Sequence, residues 1–236
     1  PDNPSIIMES VHHFFKKVSD KPLVRPAWYY DIAQQGEGIA DVTTHLIDLI
    51  NWQCFPDEAI HYQSDVKVLS AKHWPTPITL AEVSQSTQTD SFPIYLKQYI
   101  KNDVLEVMAN GSLDYTVKGI CMGMKVTWNY MPPVHGGDTF TSIKKGSKAT
   151  LKIVQDEKNG FVKELYIQKE PDIDNRTFEA QLQKTVEQLQ ITYPFLSVKN
   201  KKNGTYLIDI PQEKRLGHEE HFSKVAKAFL HYVHNQ

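Results

Sequence analysis

The strictest constraint on the fold lies between Ile120 and Tyr130, where Met122, Met124, Val126, Trp128 and Tyr130 take every second position. A period of two fits no helix. It describes a long strand with one face buried and the other wet. Such a strand needs partners on its edges and a layer over its apolar side. The surrounding sequence offers both.

Residues 66–71 alternate partly, and 81–85 read as another short strand. Residues 105–109 and 113–117 flank Asn110-Gly111, a hairpin signal. After a loop over 131–138, rich in Pro132, Pro133, Gly136 and Gly137, residues 140–144 and 149–155 read as a hairpin about Lys145-Gly146-Ser147. A further strand is expected over 161–168. Helical spacing appears before and after this middle. Val11, Phe14, Phe15 and Val18 suggest a helix over 9–18, and Phe178, Leu182, Val186 and Leu189 one over 177–190. A strand pair at 195–198 and 206–210, turning at Asn203-Gly204, precedes a closing helix over 219–234. No repeat, low-complexity run or linker interrupts the chain, so one domain over 1–236 is expected. The fold class is α+β: an open, largely antiparallel sheet with helices packed on one face.

A formal net charge of −2 leaves no basic excess to neutralise phosphates, which argues against nucleic acid. The short basic run from Lys199 to Lys202 reads as a solvated hairpin tip. Cys54 and Cys121 make neither a metal-ligand spacing nor a disulfide framework, which fits a reducing compartment. No apolar run reaches the ~18 residues a membrane span needs, and no signal peptide is visible. A cytoplasmic location is expected, or a periplasmic one if a parent protein carries a signal. The chain opens Pro-Asp-Asn-Pro without an initiator methionine, so a processed product or a piece of something longer is expected.

The candidate chemistry sits between Gly36 and Trp52. Two glycines, Gly36 and Gly38, open a helix rich in Ile39, Val42, Leu46, Ile47, Leu49 and Ile50. Asp41, His45 and Asp48 fall on one stripe of it, continued by Trp52. A helix this apolar is expected to be buried, where ionisable groups are costly unless bonded or in use. A carboxylate one turn before a histidine holds one imidazole tautomer and suits proton transfer near neutral pH. The competing account makes Asp41 an N-cap and His45 a satisfied core residue. Metal ligation is a third account, but His12, His13, His61, His73, His135, His218 and His221 are scattered, and no metal site is expected. Upstream, residues 23–30 read as an extended aromatic segment broken by Pro26. Alternation would put Trp28 and Tyr30 on one side and Tyr29 on the other. With Arg25 they could line a sugar pocket, or simply pack in a core. There is no Gly-x-Gly-x-x-Gly after a strand, no P-loop and no Gly-x-Ser-x-Gly elbow, so the chain carries no dinucleotide-binding half.

The residues 21–30, then Gly36-Glu37-Gly38, then Asp41-x-x-x-His45-x-x-Asp48, resemble the second domain of the glucose–fructose oxidoreductase / inositol dehydrogenase (Gfo/Idh/MocA) family. More narrowly they resemble a putative-oxidoreductase C-terminal domain of its bacterial members. Thr43 stands where the family prefers glycine. The resemblance implies a dihydrodipicolinate-reductase-like second domain, with an N-terminal Rossmann domain absent from this chain. It implies hydride transfer between a sugar or polyol hydroxyl carbon and NAD or NADP, with the cofactor held mainly by the missing domain. By the same resemblance His45 and Asp41 are catalytic. Arg25, Trp28 and Tyr30 are the candidate substrate contacts, joined by Asp48, which is also expected to support the helix, and Gly36 and Gly38 are the candidate cofactor contacts. Asp20-Lys21-Pro22 looks like the family's Glu-Lys-Pro but lies too near the glycine loop to take its role. Expected partners are the sugar or polyol, the protein's own Rossmann domain and further copies of the chain through the sheet. A non-catalytic binding or assembly domain and a metal hydrolase are the alternatives.

Overall fold

The computed structural model describes residues 3–18, 21–215 and 218–235, with Val18, His218 and Glu219 described by their backbone alone. Asp20 therefore lies outside the described residues. The chain divides into two compact units, Pro1–Gln168 and Lys169–Gln236.

The first unit opens with β1 (Ile6–His13) and the two-residue strands β2 (Lys17–Val18) and β3 (Lys21–Pro22). A 3-10 turn, Ala27–Tyr30, leads to α1 (Ile32–Gln35), α2 (Gly38–Asp41), α3 (Thr43–Cys54) and α4 (Tyr62–Asp65). Then follow β4 (Val66–Thr79), α5 (Leu80–Thr87), β5 (Ile100–Lys101), β6 (Val104–Val117) and β7 (Ile120–Asn129). The series closes with β8 (Thr139–Lys145), β9 (Ala149–Gln155) and β10 (Glu164–Lys169), whose last residue crosses the unit boundary. The strands of this unit run in the order β10-β9-β8-β1-β7-β6-β4, with β5 on β6. β1 runs parallel to β7, whereas β1–β8, β8–β9, β6–β7 and β4–β6 are antiparallel. Met122, Met124, Val126 and Trp128 are buried, as their alternation requires, and Ile6 and Met8 of β1 join them. Leu46 and Ile50 of α3 and Val83 of α5 close the core from the helical side.

In the second unit, α6 (Asn175–Gln190) precedes the hairpin of β11 (Ser197–Asn200) and β12 (Thr205–Asp209). The turn carries Lys202, Asn203 and Gly204 at positive φ, as the basic hairpin tip anticipates. The helix α7 (His218–His234) follows. No helix among the described residues is long and apolar enough to cross a membrane.

Three sequence expectations are overturned. Residues 9–18 are not a helix. Residues 6–13 are a strand between β7 and β8, and the three-and-four spacing of Val11, Phe14 and Phe15 was a coincidence of a short apolar run. Residues 81–85 are not a strand but lie in α5. Thr79 caps that helix by accepting from the Glu82 amide at 3.3 Å, and the Glu82 carboxylate accepts from the Thr79 amide at 2.7 Å. This capping box stands in the sequence as Thr79-x-x-Glu82. Asn110-Gly111 is not a turn, because β6 runs through it without a break.

The use of that dipeptide explains how the site is built. The β4–β6 register shifts between Trp74 and Thr76, where β6 carries one extra residue near Ala109. The buried Asn110 amide spans this bulge, donating to the Trp74 carbonyl at 3.0 Å and to the Thr76 hydroxyl at 2.8 Å. Its carbonyl oxygen accepts from the Trp128 amide at 2.7 Å, while the Thr76 hydroxyl donates to the Trp128 carbonyl at 2.5 Å. Gly111 leaves room for Ile39 of α2, since a Cβ there would lie 2.8 Å from the Ile39 Cβ. Gly38 is tighter still: a Cβ would sit 1.6 Å from the Ala109 carbonyl oxygen. Two glycines and one amide thus seat α2 directly on the sheet.

Replacing Asn110 by alanine strands several buried partners and should cost about 3 kcal/mol. Gly38→Ala should cost about as much, by forcing α2 off β6. Urea denaturation of each variant measures both, and a loss below about 0.5 kcal/mol would contradict these assignments.

Candidate active site

The backbone of the glycine loop is set before any ligand is considered. Gly36 has φ +87°, a left-handed conformation that side chains resist, and it ends α1. Gly38 then starts α2 against Ala109, and Val42 separates α2 from α3. Because of that break, Asp41 belongs to α2 while His45 and Asp48 belong to α3.

The expected burial of the polar stripe is corrected by the structure. α3 buries only Thr43, Leu46 and Ile50, and Ile47 and Leu49 are partly covered. Its opposite side faces solvent: His45 and Asp48 are exposed, and Trp52 is 74% exposed. Adjacent pairs such as Leu46-Ile47 and Leu49-Ile50 broaden the apolar face enough in sequence to suggest an enclosed helix. Asp41 does not cap α3, which has no side-chain cap, and His45 is not a core residue. Among the described residues, no hydrogen bond or ion pair joins the side chains of Asp41, His45 and Asp48.

Asp41, half-buried, instead faces a small cleft of about 20 Å³, room for about one water molecule. Gly36, Gly38 and Gln35 form one side of the cleft, and Val107 and Ala109 of β6 form its floor. Phe14, Tyr29 and Trp128 supply an aromatic wall. Phe14 and Trp128 lie 5.1 Å apart by ring centroid, and Tyr29 stands edge-on to Trp128 at 6.0 Å. The Tyr29 hydroxyl is pushed up to about 12, first by burial, with the negative charge of Asp41 adding to it and the Arg25 guanidinium opposing it.

Arg25 is held rigidly behind this wall. Its Nε donates to the Phe14 carbonyl at 2.5 Å and its Nη2 to the His13 carbonyl at 3.2 Å. Its guanidinium lies 4.0 Å from the Tyr29 ring centre and 5.6 Å from that of Trp128. The alternation expected for 23–30 is not found. Residues 27–30 form a 3-10 turn, which leaves Trp28 44% exposed, turns Tyr29 to the cleft and puts Tyr30 fully in the core. Tyr30 shares a 2.6 Å hydrogen bond with Ser86, and burial raises its pKa. Of the candidate residues, the structure brings Gly36, Gly38 and Asp41 to one cleft, with Arg25 behind it. Trp28, His45 and Asp48 sit on exposed surface, and Tyr30 is withdrawn from it.

Sequence reasoning missed Trp128 as a cleft wall and the cluster beyond it. His12 stacks on Trp128 with 4.9 Å between rings. Asp138, from the loop after β7, accepts from His13 Nδ1 at 2.9 Å and pairs with Lys16, with His12 Nδ1 at 3.7 Å. Burial alone would raise the Asp138 carboxyl, but the hydrogen bonds from His12, His13 and Lys16 and the charge of Lys16 outweigh it. They hold the carboxyl well below the usual carboxylate range. His12-His13 and Gly136-Gly137-Asp138 are visible in the sequence, but no spacing rule links segments so far apart. On the cleft's other flank, Glu37 of the glycine loop bonds His73 Nδ1 of β4 at 2.7 Å. Among the described residues, no three His, Cys, Asp or Glu gather to hold a metal ion.

Residues 1–236 match the family profile described as putative oxidoreductase C terminal domain. No curated protein matches the chain. Its structure is similar to the crystal structure of a putative oxidoreductase from Parabacteroides merdae ATCC 43184, with a TM-score of 0.96 and 43% identity. That likeness covers 99% of this chain and 53% of the other, so the chain spans about half the length of that protein. A putative oxidoreductase from Thermotoga maritima matches 70% of this chain and 37% of its own at 15% identity, with a TM-score of 0.38. That is too slight a likeness to carry an argument.

The depressed pKa of Asp138 has a consequence for stability. A carboxyl that ionises more readily folded than unfolded stabilises the fold above its unfolded pKa, near 3.8, and that contribution is lost as pH falls toward its lower folded value. Asp138→Asn should therefore flatten the rise of stability with pH below about pH 4, as measured by denaturation across that range. An unchanged acid limb would refute the pairing.

Proposed function

The chain belongs to the family of putative oxidoreductase C-terminal domains, and on that footing we propose that it is the substrate-binding and oligomerisation half of an NAD(P)-dependent oxidoreductase of the Gfo/Idh/MocA type. The observation that carries this reading is the family match along residues 1–236, in a chain about half the length of a putative oxidoreductase 43% identical to it. The proposed substrate is a sugar or polyol, and the proposed setting is the cytoplasm.

The cleft supports the reading chemically. Its aromatic wall of Tyr29 and Trp128 suits a sugar ring or a nicotinamide laid against it, and Asp41 offers an acceptor for a hydroxyl. It is too small to enclose either, so it serves as one wall of a site that a second domain completes. When bound, the nicotinamide would take the hydride. This chain's residues bind and orient the sugar, exclude water and handle the hydroxyl proton. His45 is the proposed proton-handling group, with Asp41 acting apart from it as the hydroxyl acceptor in the cleft. The exposure of His45 suits a residue that works against an apposed domain. Arg25 stiffens the wall by stacking on Tyr29. Asp48 and Trp28, also exposed, are proposed to meet substrate at the rim, whereas Tyr30 supports the wall from the core. Gly36 and Gly38 let the backbone come close, and the packing of Gly38 on Ala109 is a second reason for glycine there.

In the full-length protein, His45→Ala should lower kcat/KM about 10²-fold while leaving thermal stability unchanged, because the side chain is exposed. The isolated chain should show no NAD-dependent turnover. Unchanged kcat/KM in the variant would favour a non-catalytic assembly domain instead.

A further inference from the structure

Beneath the end of α3, the first unit holds two buried polar atoms without partners. Lys144 of β8 lies beside Ile6 of β1, Ile6 beside Met122 of β7, and Met122 beside Tyr115 of β6, so the four share one face of the sheet. Ile6, Met122 and Tyr115 belong to the core, so this is the face that the helices cover. Cys54, the last residue of α3, packs against the same core, and Asn51 lies one turn before it on the same side of the helix. Tyr115 is 3% exposed, yet its hydroxyl makes no hydrogen bond, and neither does the buried Oδ1 of Asn51. Buried polar groups in native proteins are nearly always bonded. An orphaned pair on facing elements therefore marks a place where a further molecule bonds them.

Lys144 brings a nucleophile to that place. Its side chain is half-buried, and its Nζ donates to the Oγ of the buried Ser142 at 3.3 Å. Among the described residues no carboxylate pairs with it. The Cys54 thiol stands within electrostatic reach of both Lys144 and the Tyr115 hydroxyl, which gathers amine, thiol and phenol around the end of α3. Burial pushes the Lys144 ammonium below its usual range, which frees its lone pair. Burial also pushes the Tyr115 hydroxyl up to about 12, which keeps its proton in place. An amine in such surroundings is suited to attack a carbonyl carbon. The two orphans have complementary tasks. Tyr115 donates to a carbonyl oxygen, and Asn51 Oδ1 accepts from a hydroxyl. Lys144 and Cys54 are only partly covered, so a small molecule reaches them from solvent.

We propose that Lys144, Tyr115 and Asn51 form a site for a short hydroxyaldehyde, which Lys144 holds covalently as a Schiff base. The Nζ lone pair attacks the carbonyl carbon, and the carbonyl oxygen takes a proton as its π bond breaks. The carbinolamine then loses that oxygen as water. The C=N bond forms as nitrogen gives up both its protons, so one amine and one aldehyde give one imine and one water. The step consumes no oxidant and no cofactor. None of these residues lines the Asp41 cleft, and the site is independent of the hydride transfer proposed there.

Glycolaldehyde with sodium cyanoborohydride, applied to the full-length protein at neutral pH, traps such an imine as a stable secondary amine. Peptide mass spectrometry then reads the rate at each lysine. Lys144 should label about 10-fold faster than Lys148, an exposed lysine between β8 and β9. Tyr115→Phe should cut the Lys144 rate about 10-fold. It should leave the Lys148 rate unchanged and the urea midpoint no lower, because the hydroxyl it removes has no partner in the fold. Asn51→Leu should slow labelling by glycolaldehyde but not by acetaldehyde, which has no hydroxyl to offer. Labelling of Lys144 no faster than that of Lys148 would overturn the proposal. So would a Lys144 rate that Tyr115→Phe leaves intact, which would assign the orphaned hydroxyl to an internal water. An equal effect of Asn51→Leu on both aldehydes would strike the hydroxyl from the ligand.

Discussion

The buried side-chain amide of Asn110 holds the first unit together at its least regular point. A sheet that carries an extra residue in one strand loses ladder bonds at that place, and each orphaned backbone group in a dry interior costs on the order of a hydrogen bond. Asn110 answers with both ends of its amide, to Trp74 and Thr76 on β4 and to Trp128 on β7. Thr76 completes the ring by donating to the other side of Trp128. The bulge is thus a braced feature. It turns the Ala109 carbonyl toward α2 and fixes Trp128 as the back wall of the cleft.

From that brace the arrangement of the site follows in short steps. The glycines at 38 and 111 let α2 lie on the sheet backbone, which brings Asp41 to the aromatic wall. Arg25 ties the end of β1 to the Tyr29 turn and approaches Trp128 of β7, so three separate segments meet behind the cleft. The Asp138 cluster then locks the loop after β7 to the end of β1. The Asp138 carboxylate is satisfied by His13 and Lys16 at the margin of the core, where a lone charge would be costly. The working surface is made of small contacts that tolerate little change.

Much of this was legible, and the failures have physical causes. The period of two in β7 is local, and it was read correctly because a half-buried strand imposes it on every residue. β1 is not legible because its partners lie far along the chain, and a short stretch such as 9–18 fits either period when those partners are unknown. Asn110-Gly111 carries turn chemistry, but the amide is used across strands and the glycine for close packing, so composition and role part company. The stripe of Asp41, His45 and Asp48 shows in the sequence, but the exposure of His45 and Asp48 does not. Apolar density along α3 counts Ile47 and Leu49 as if they were fully enclosed. Trp128 was recognised as a core residue, while its place in the cleft needed the bulge to be seen.

The parallel pairing of β1 with β7 carries a consequence for how the chain acquires its structure. Residues 6–13 meet residues 122–129 on one edge and 139–144 on the other, so the first strand of this unit lies in the middle of its strand order. Until the segments that form β7 and β8 have emerged, Ile6 and Met8 lack their strand partners. The hairpin of β6 and β7 must wait with an open edge. Contacts of such long sequence separation make folding slow, and the half-built sheet is prone to aggregate while it waits. The strand order therefore makes this fold an assembly that closes late and from its centre.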